Sequence, residues 1–240
     1  MGVVPRRRPA RTEDAATAGD LGQRIFQLPF SWRSLGVDIR GRSGILRINY
    51  RTSHQIRAQA DRLLGKHVSD VDGNTEERGG TISVFNGADP LLRVLDSAEE
   101  ESAVVGHWLA ERASEGVTPG EMSVCVRSSA ELPRARAAVE AAGLLVAPLD
   151  DDVKTGRDRV AVGTMPLSKG LEFRAVAVMA CDDEVVPLQA RIEAVTDEGD
   201  LEEVYDTERH LLYVACTRAR DHLLVTGVAP ASEFLEDLRG

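Results

Sequence analysis

Two unbroken apolar runs, residues 160–163 (VAVG) and 175–180 (AVAVMA), constrain this chain more than any other feature. Each is too short for a buried helix and lacks the alternation of a half-exposed strand, so each predicts a strand covered on both faces. Shorter strand-like runs stand at 45–48, 81–85, 122–127 and 222–226. Between them the apolar spacing turns helical. Residues 53–64 place Ile56, Ala60, Leu63 and Leu64 on one face behind Ser53 as N-cap. Residues 97–115 turn Val104, Val105, Trp108 and Leu109 inward, with acidic residues crowding the first turn. Residues 129–142 form an Ala-rich helix closed by Gly143, and 204–220 a last helix with Leu211, Leu212, Ala215 and Ala219 as its core stripe. Residues 70–80 read as a loop. This alternation predicts an α/β domain of three layers, a mostly parallel sheet flanked by helices. Right-handed crossovers then gather the strand C-termini at one edge, where ligands usually sit.

Charge narrows the function classes. The chain has 240 residues, with 29 Lys and Arg against 39 Asp and Glu, a formal net charge of −10. An acidic body is no general polyanion binder, so any nucleic acid contact must use local basic spots and be salt-sensitive. No stretch of about 18 apolar residues exists, which predicts no membrane span. Residues 1–17 are rich in Arg and Pro, read as a disordered leader, and lack the apolar core of a secretory signal. The three cysteines fall in no CxxC and the five histidines in no HExxH. That argues against a zinc site or a disulfide framework, and for a reducing cytoplasm.

Four segments carry chemistry. The first, AGDLGQRIF (18–26), follows a Gly-Asp turn with Gln23, an amide able to sense a phosphate, and Phe26. The second, LRINYRTSHQI (46–56), puts Tyr50 and Arg51 between strand and helix. A ring there can stack on a base, and a guanidinium can fork two phosphate oxygens. The third, VGTMPLSKGLEF (162–173), leads from Thr164 into a loop with Ser168, Lys169, Gly170 and Glu172, groups suited to an oxyanion and a ribose. The fourth, TERHLLYVACTRARDHLLVTG (207–227), carries Arg218 and Arg220 near the end of its helix. A cation there suits a helix dipole or, alternatively, a γ-phosphate across a cleft. At a helix end, Arg218→Ala should cost well under about 2 kcal/mol of stability.

In order and spacing, these segments resemble the later motifs of the UvrD/Rep-type superfamily 1 DNA helicases. GDLGQRIF resembles the phosphate-sensing Gln motif and NYRT the NYRS motif. GTMPLSKGLEF resembles the T-x-H-x-x-KGLEF motif, and ERHLLYVACTRAR the closing E-R-R-L-x-Y-V-x-x-TRA motif. The resemblance implies a RecA-like second lobe over 44–240 and a remnant of the first lobe over 18–43. It further implies that Gln23 and Arg51 reach the γ-phosphate and that Arg218 is an arginine finger. Tyr50 would stack on adenine and Glu172 would hold the ribose. Phe26 would stack on a DNA base, with Thr164 and Lys169 linking nucleotide to DNA. The cofactor implied is ATP with Mg²⁺. The partners implied are single-stranded or partly duplex DNA, translocated 3′ to 5′, and a complete first lobe from another chain or from upstream sequence.

The chain also departs from that family. It contains no GxxxxGK[ST] loop, and no metal-binding Asp-Glu strand precedes the Gln motif. AVAVMACDDE (175–184) imitates that strand but follows KGLEF. Pro166 stands where the family has His, and FSWRSLGVDIRGRS (30–43) replaces the usual continuation of the Gln motif. Only about 115 residues separate NYRT from KGLEF, too few for a large inserted helical subdomain. The expectation is a helicase C-terminal part inactive in ATP hydrolysis alone. The alternative is a non-catalytic RecA-like module that binds DNA or protein.

Overall fold

The computed structural model describes residues 48–64, 67–69, 75–77, 82–149 and 156–240. Strands are β1 (Ile48–Asn49), β2 (His67–Ser69), β3 (Thr75–Glu77), β4 (Ile82–Ser83), β5 (Leu91–Leu95), β6 (Met122–Val126), β7 (Leu145–Pro148), β8 (Arg159–Thr164), β9 (Phe173–Val178) and β10 (Ala219–Val228). Helices are α1 (His54–Ala60), α2 (Ala98–Ser114), α3 (Leu132–Ala141), α4 (Gln189–Glu193), α5 (Glu198–Cys216) and α6 (Phe234–Arg239). Six strands form one sheet in the order β5-β10-β9-β6-β8-β7, and every neighbouring pair is parallel. This is the expected α/β, RecA-like architecture.

The apolar runs explain the layering, because alternate residues of each central strand face opposite cores. Val124, Val160, Val162, Ala175, Ala177 and Leu224 join Val105, Trp108 and Leu109 of α2 and Ala135, Ala138 and Val139 of α3. Cys125, Ala161, Val176, Val178, Leu223 and Val225 face Ile56 of α1, Leu211, Leu212 and Ala215 of α5, and Leu235 and Leu238 of α6. Ser53 caps α1 through its hydroxyl, which accepts from the Ile56 N–H, and Ser97 caps α2 in the same way.

Several local expectations are corrected. The strand expected over 45–48 is described only at its end, as β1, and pairs with β4 outside the main sheet. Helix 53–64 ends as α1 at Ala60 and tightens into a 3₁₀ turn, Asp61–Leu63. The loop expected over 70–80 contains β3, paired antiparallel with β2. Val104 is only half-buried. The last helix stops at Cys216, so Ala219 is buried from a strand and not from a helix stripe. Edge strands β5 and β7 and helices α4 and α6 were not among the expected elements. Residues 1–47, which hold Gln23, Phe26, the leader expected over 1–17 and the first-lobe remnant expected over 18–43, lie outside the described residues.

The end of β10 lies against the segment leaving β9. A Cβ on Gly227 would stand 2.3 Å from the Cys181 carbonyl oxygen and 2.8 Å from its carbon. Both obstacles are backbone, so Gly227→Ala must push two strand ends apart. The expected loss is roughly 1–3 kcal/mol, read as a lower urea midpoint.

Candidate functional site

The second, third and fourth segments meet at the short turn that follows α5. Its carbonyls act as the shared acceptors. Thr52 Oγ1 donates to Thr217 O (3.2 Å), Ser53 N to Arg220 O (3.1 Å) and Phe173 N to Arg218 O (3.0 Å). Asn49 Oδ1 accepts from the N–H of Arg51 at 2.8 Å, an Asx turn that rounds the corner between β1 and α1. Tyr50 is left 68% exposed. The side chain of Arg51, 69% exposed, forms an ion pair with Glu172 at 3.7 Å (Nε to Oε2). An exposed pair at this distance is weak, so a ligand can replace it at little cost. The structure therefore brings Tyr50, Arg51, Glu172 and Arg218 to one place.

That place is not the expected sheet edge. Glu172 immediately precedes β9 and Arg218 immediately precedes β10, so both lie where those strands begin. Thr164 is half-buried at the end of β8, on the opposite edge. A six-residue strand separates the edges by about 20 Å. A 3₁₀ turn, Met165–Ser168, starts the crossing back, with the Ser168 hydroxyl donating to Met165 O at 2.6 Å. Lys169 caps that turn and is exposed, and Gly170 follows with φ +85°. Thr164 and Lys169 thus bracket the start of a crossover linking the two edges: Thr164 stands at the edge away from Glu172, and Lys169 lies three residues before it.

Arg218 differs most from expectation. It is 3% exposed and lies beyond the helix end. Its Nε donates to Val214 O (3.0 Å), Nη1 to Leu171 O (3.3 Å) and Nη2 to Thr217 Oγ1 (3.4 Å). The guanidinium thus fastens the last carbonyls of α5 to the segment carrying Glu172. Truncation to Ala strands these acceptors and should cost about 1–3 kcal/mol, more than a surface helix end implies.

Arg220 was read beside Arg218, but its partner and the neighbouring ion pair carried no sequence signal. The Arg220 guanidinium lies 5.7 Å from the centre of the Phe85 ring, and Phe85 O accepts from His54 N at 3.1 Å. Arg174, just inside β9, pairs with Asp221 at 2.9 Å. Burial, then the nearby Arg112 charge, lowers the pKa of His222. The three cysteines are free and buried; burial pushes the Cys125 thiol up to about 11 and that of Cys216 to about 12, which leaves both unreactive at neutral pH.

The arrangement offers an exposed ring, the exposed Arg51 guanidinium and the Glu172 carboxylate, groups that suit the base, phosphate and sugar of a nucleotide, with the Arg218 guanidinium buried beneath them. Among the described residues no His, Cys, Asp and Glu group is set to hold a metal ion. No described helix is long and apolar enough to cross a membrane.

Comparison with known proteins bears on the C-terminal part of the chain. The profile of the UvrD-like helicase C-terminal domain matches residues 139–229. The chain is 40% identical over 79 residues to the ATP-dependent DNA helicase Rep of Buchnera aphidicola, a stretch covering 32% of this chain and 11% of that protein. It is 40% identical over 83 residues to the ATP-dependent DNA helicase PcrA of Staphylococcus aureus, covering 34% and 10%. The matched stretches thus span about a tenth of the length of these relatives. A solved structure, the C-terminal domain of a possible DNA helicase from Lactobacillus plantarum, superposes with a TM-score of 0.54 at 25% identity, over 79% of this chain and 94% of that one.

Proposed function

We infer, from the match of residues 139–229 to the UvrD-like helicase C-terminal domain, that this chain supplies one face of an ATP site in a DNA-translocating helicase. The observation that supports this reading is the convergence of Tyr50, Arg51, Glu172 and Arg218 on the turn after α5. Tyr50 stacks on the adenine and Glu172 accepts from the ribose hydroxyls, which releases Arg51 towards the phosphates. Arg218 leaves its carbonyl acceptors to meet charge developing on the γ-phosphoryl group. Mg²⁺, when bound, neutralises phosphate charge. Gln23 reads the γ-phosphate, and Phe26, Thr164 and Lys169 lie along the path of single-stranded or partly duplex DNA. In this reading residues 18–43 belong to the first lobe and 44–240 to the second.

The 240 residues contain no GxxxxGK[ST] loop, so the phosphate cradle must come from elsewhere. Phosphate release with single-stranded DNA tests the reading. The 240-residue chain alone is expected to turn over ATP below about 1 s⁻¹, the low end of enzyme rates. Adding a first lobe that bears the loop should raise turnover. Turnover above that value without the lobe, or none with it, overturns the reading.

A further inference from the structure

Glu208 has no part in the chemistry proposed above, yet four donors converge on its carboxylate. Arg127, the residue after β6, grips it with two nitrogens: Nε to Oε2 at 2.5 Å and Nη2 to Oε1 at 2.6 Å. Arg191 of α4 donates to Oε1 at 3.0 Å, and the Leu188 N–H to Oε2 at 3.3 Å. The Glu208 side chain is 0% exposed and that of Arg127 is 7%. Three parts of the chain therefore meet at one point on α5: the end of β6, the segment entering α4, and α5 itself.

A buried ion pair is poor evidence for stability, since an apolar pair of similar volume often serves as well. Its distinct property is direction. A bidentate guanidinium–carboxylate pair accepts one orientation, where apolar side chains accept many. Glu208 lies eight residues before Cys216, the last residue of α5, a rise of about 12 Å. Pinning a rigid helix at that point fixes both its rotation and its slide along the sheet. Both quantities place the turn at residues 217–220, on which Ser53, Phe173 and Arg218 depend.

We propose that Glu208, held by Arg127 and Arg191, is a positioning residue that sets the turn after α5 and, through it, Arg218 and the Leu171–Phe173 backbone. The consequence for ATP rests on the function proposed above, but the mechanical claim does not. Amide exchange on the full 240-residue chain, followed by NMR, tests it without nucleotide.

The amides to watch are Ser53, which donates to Arg220 O, and Phe173, which donates to Arg218 O. The double variant Arg127→Met/Glu208→Leu keeps the buried volume and removes the direction. It is expected to fold with a urea midpoint near that of the unsubstituted chain. Exchange at Ser53 and Phe173 should rise about fivefold or more, while Val124 and Val176 in the central strands stay unchanged. Arg191→Gln, which leaves the buried pair intact, should give a smaller rise at the same two amides. Exchange within twofold of the unsubstituted chain at both amides overturns the proposal. So does a double variant that fails to fold, because the pair would then serve stability and not placement.

Discussion

Replacing Arg134 with Met is expected to destabilise the folded chain by about 3–5 kcal/mol, because it leaves a buried carboxylate without its cation. Glu101 of α2 has a side chain 0% exposed. Its Oε1 accepts from Ala180 N at 3.0 Å and from Thr226 Oγ1 at 2.6 Å. Its Oε2 faces Arg134 Nε at 2.5 Å, and the remaining nitrogens of Arg134 reach Asp182 at 2.5 and 3.2 Å. Asp182 in turn accepts from Val228 N at 2.6 Å. One guanidinium thus joins α2, α3, the segment leaving β9 and the end of β10. Burial raises the Glu101 pKa above its usual value, and the Thr226, Ala180 and Arg134 contacts oppose that rise. A raised folded pKa means that the folded state holds a proton the unfolded chain has released. Stability from this group is therefore full below pH 4.5 and is lost as pH climbs through the folded value. Without Arg134 the folded value climbs further. Urea unfolding should then show a smaller cost for Arg134→Met at pH 5 than at pH 8. Equal costs at both pH values would mean that Glu101 is not the group left stranded.

This network also shows where reading the sequence runs out. Glu99, Glu100 and Glu101 form the acidic first turn of α2, and sequence treats all three as partners of the helix dipole. Helical rotation turns Glu101 alone into the protein, where its partner comes from residue 134. The central strands were legible because burial on both faces leaves unbroken apolar runs in them, residues 160–163 of β8 and 175–178 of β9. The edge strand β7 carries a run just as apolar, LVAP, yet Leu145 is exposed, so apolar letters alone do not tell an edge strand from a central one. The motif residues were legible one by one, and their meeting was not. It depends on backbone acceptors at 217, 218 and 220, and a carbonyl has no letter in a sequence. The end of α5 was misplaced for a related reason. Thr-Arg-Ala-Arg is acceptable inside a helix, but pairing of Ala219 with Phe173 draws the chain into β10 instead.

Arg218→Lys is expected to lower ATP turnover about 10³-fold once a first lobe with a phosphate loop is present, with the KM for ATP changed only a few-fold. Lysine keeps the charge and can still cap the carbonyls of Val214 and Leu171, so the fold is preserved where Ala would strand them. It cannot offer two nitrogens in a plane to the transferring phosphoryl oxygens. In the resting chain the guanidinium is buried and bonded to Val214 O, Leu171 O and the Thr217 hydroxyl, so it contributes little to holding ATP. In the function proposed above, phosphate charge draws it out only in the transition state, and an interaction made there alone appears in kcat. Glu172→Gln should divide the other way. It frees Arg51 from the exposed ion pair and weakens the ribose contact, so KM moves and kcat does not. If Arg218→Lys turns over ATP at the unsubstituted rate, Arg218 is only a fastener between α5 and the Glu172 segment. The cation at the γ-phosphate would then have to be Arg51 or one from the first lobe.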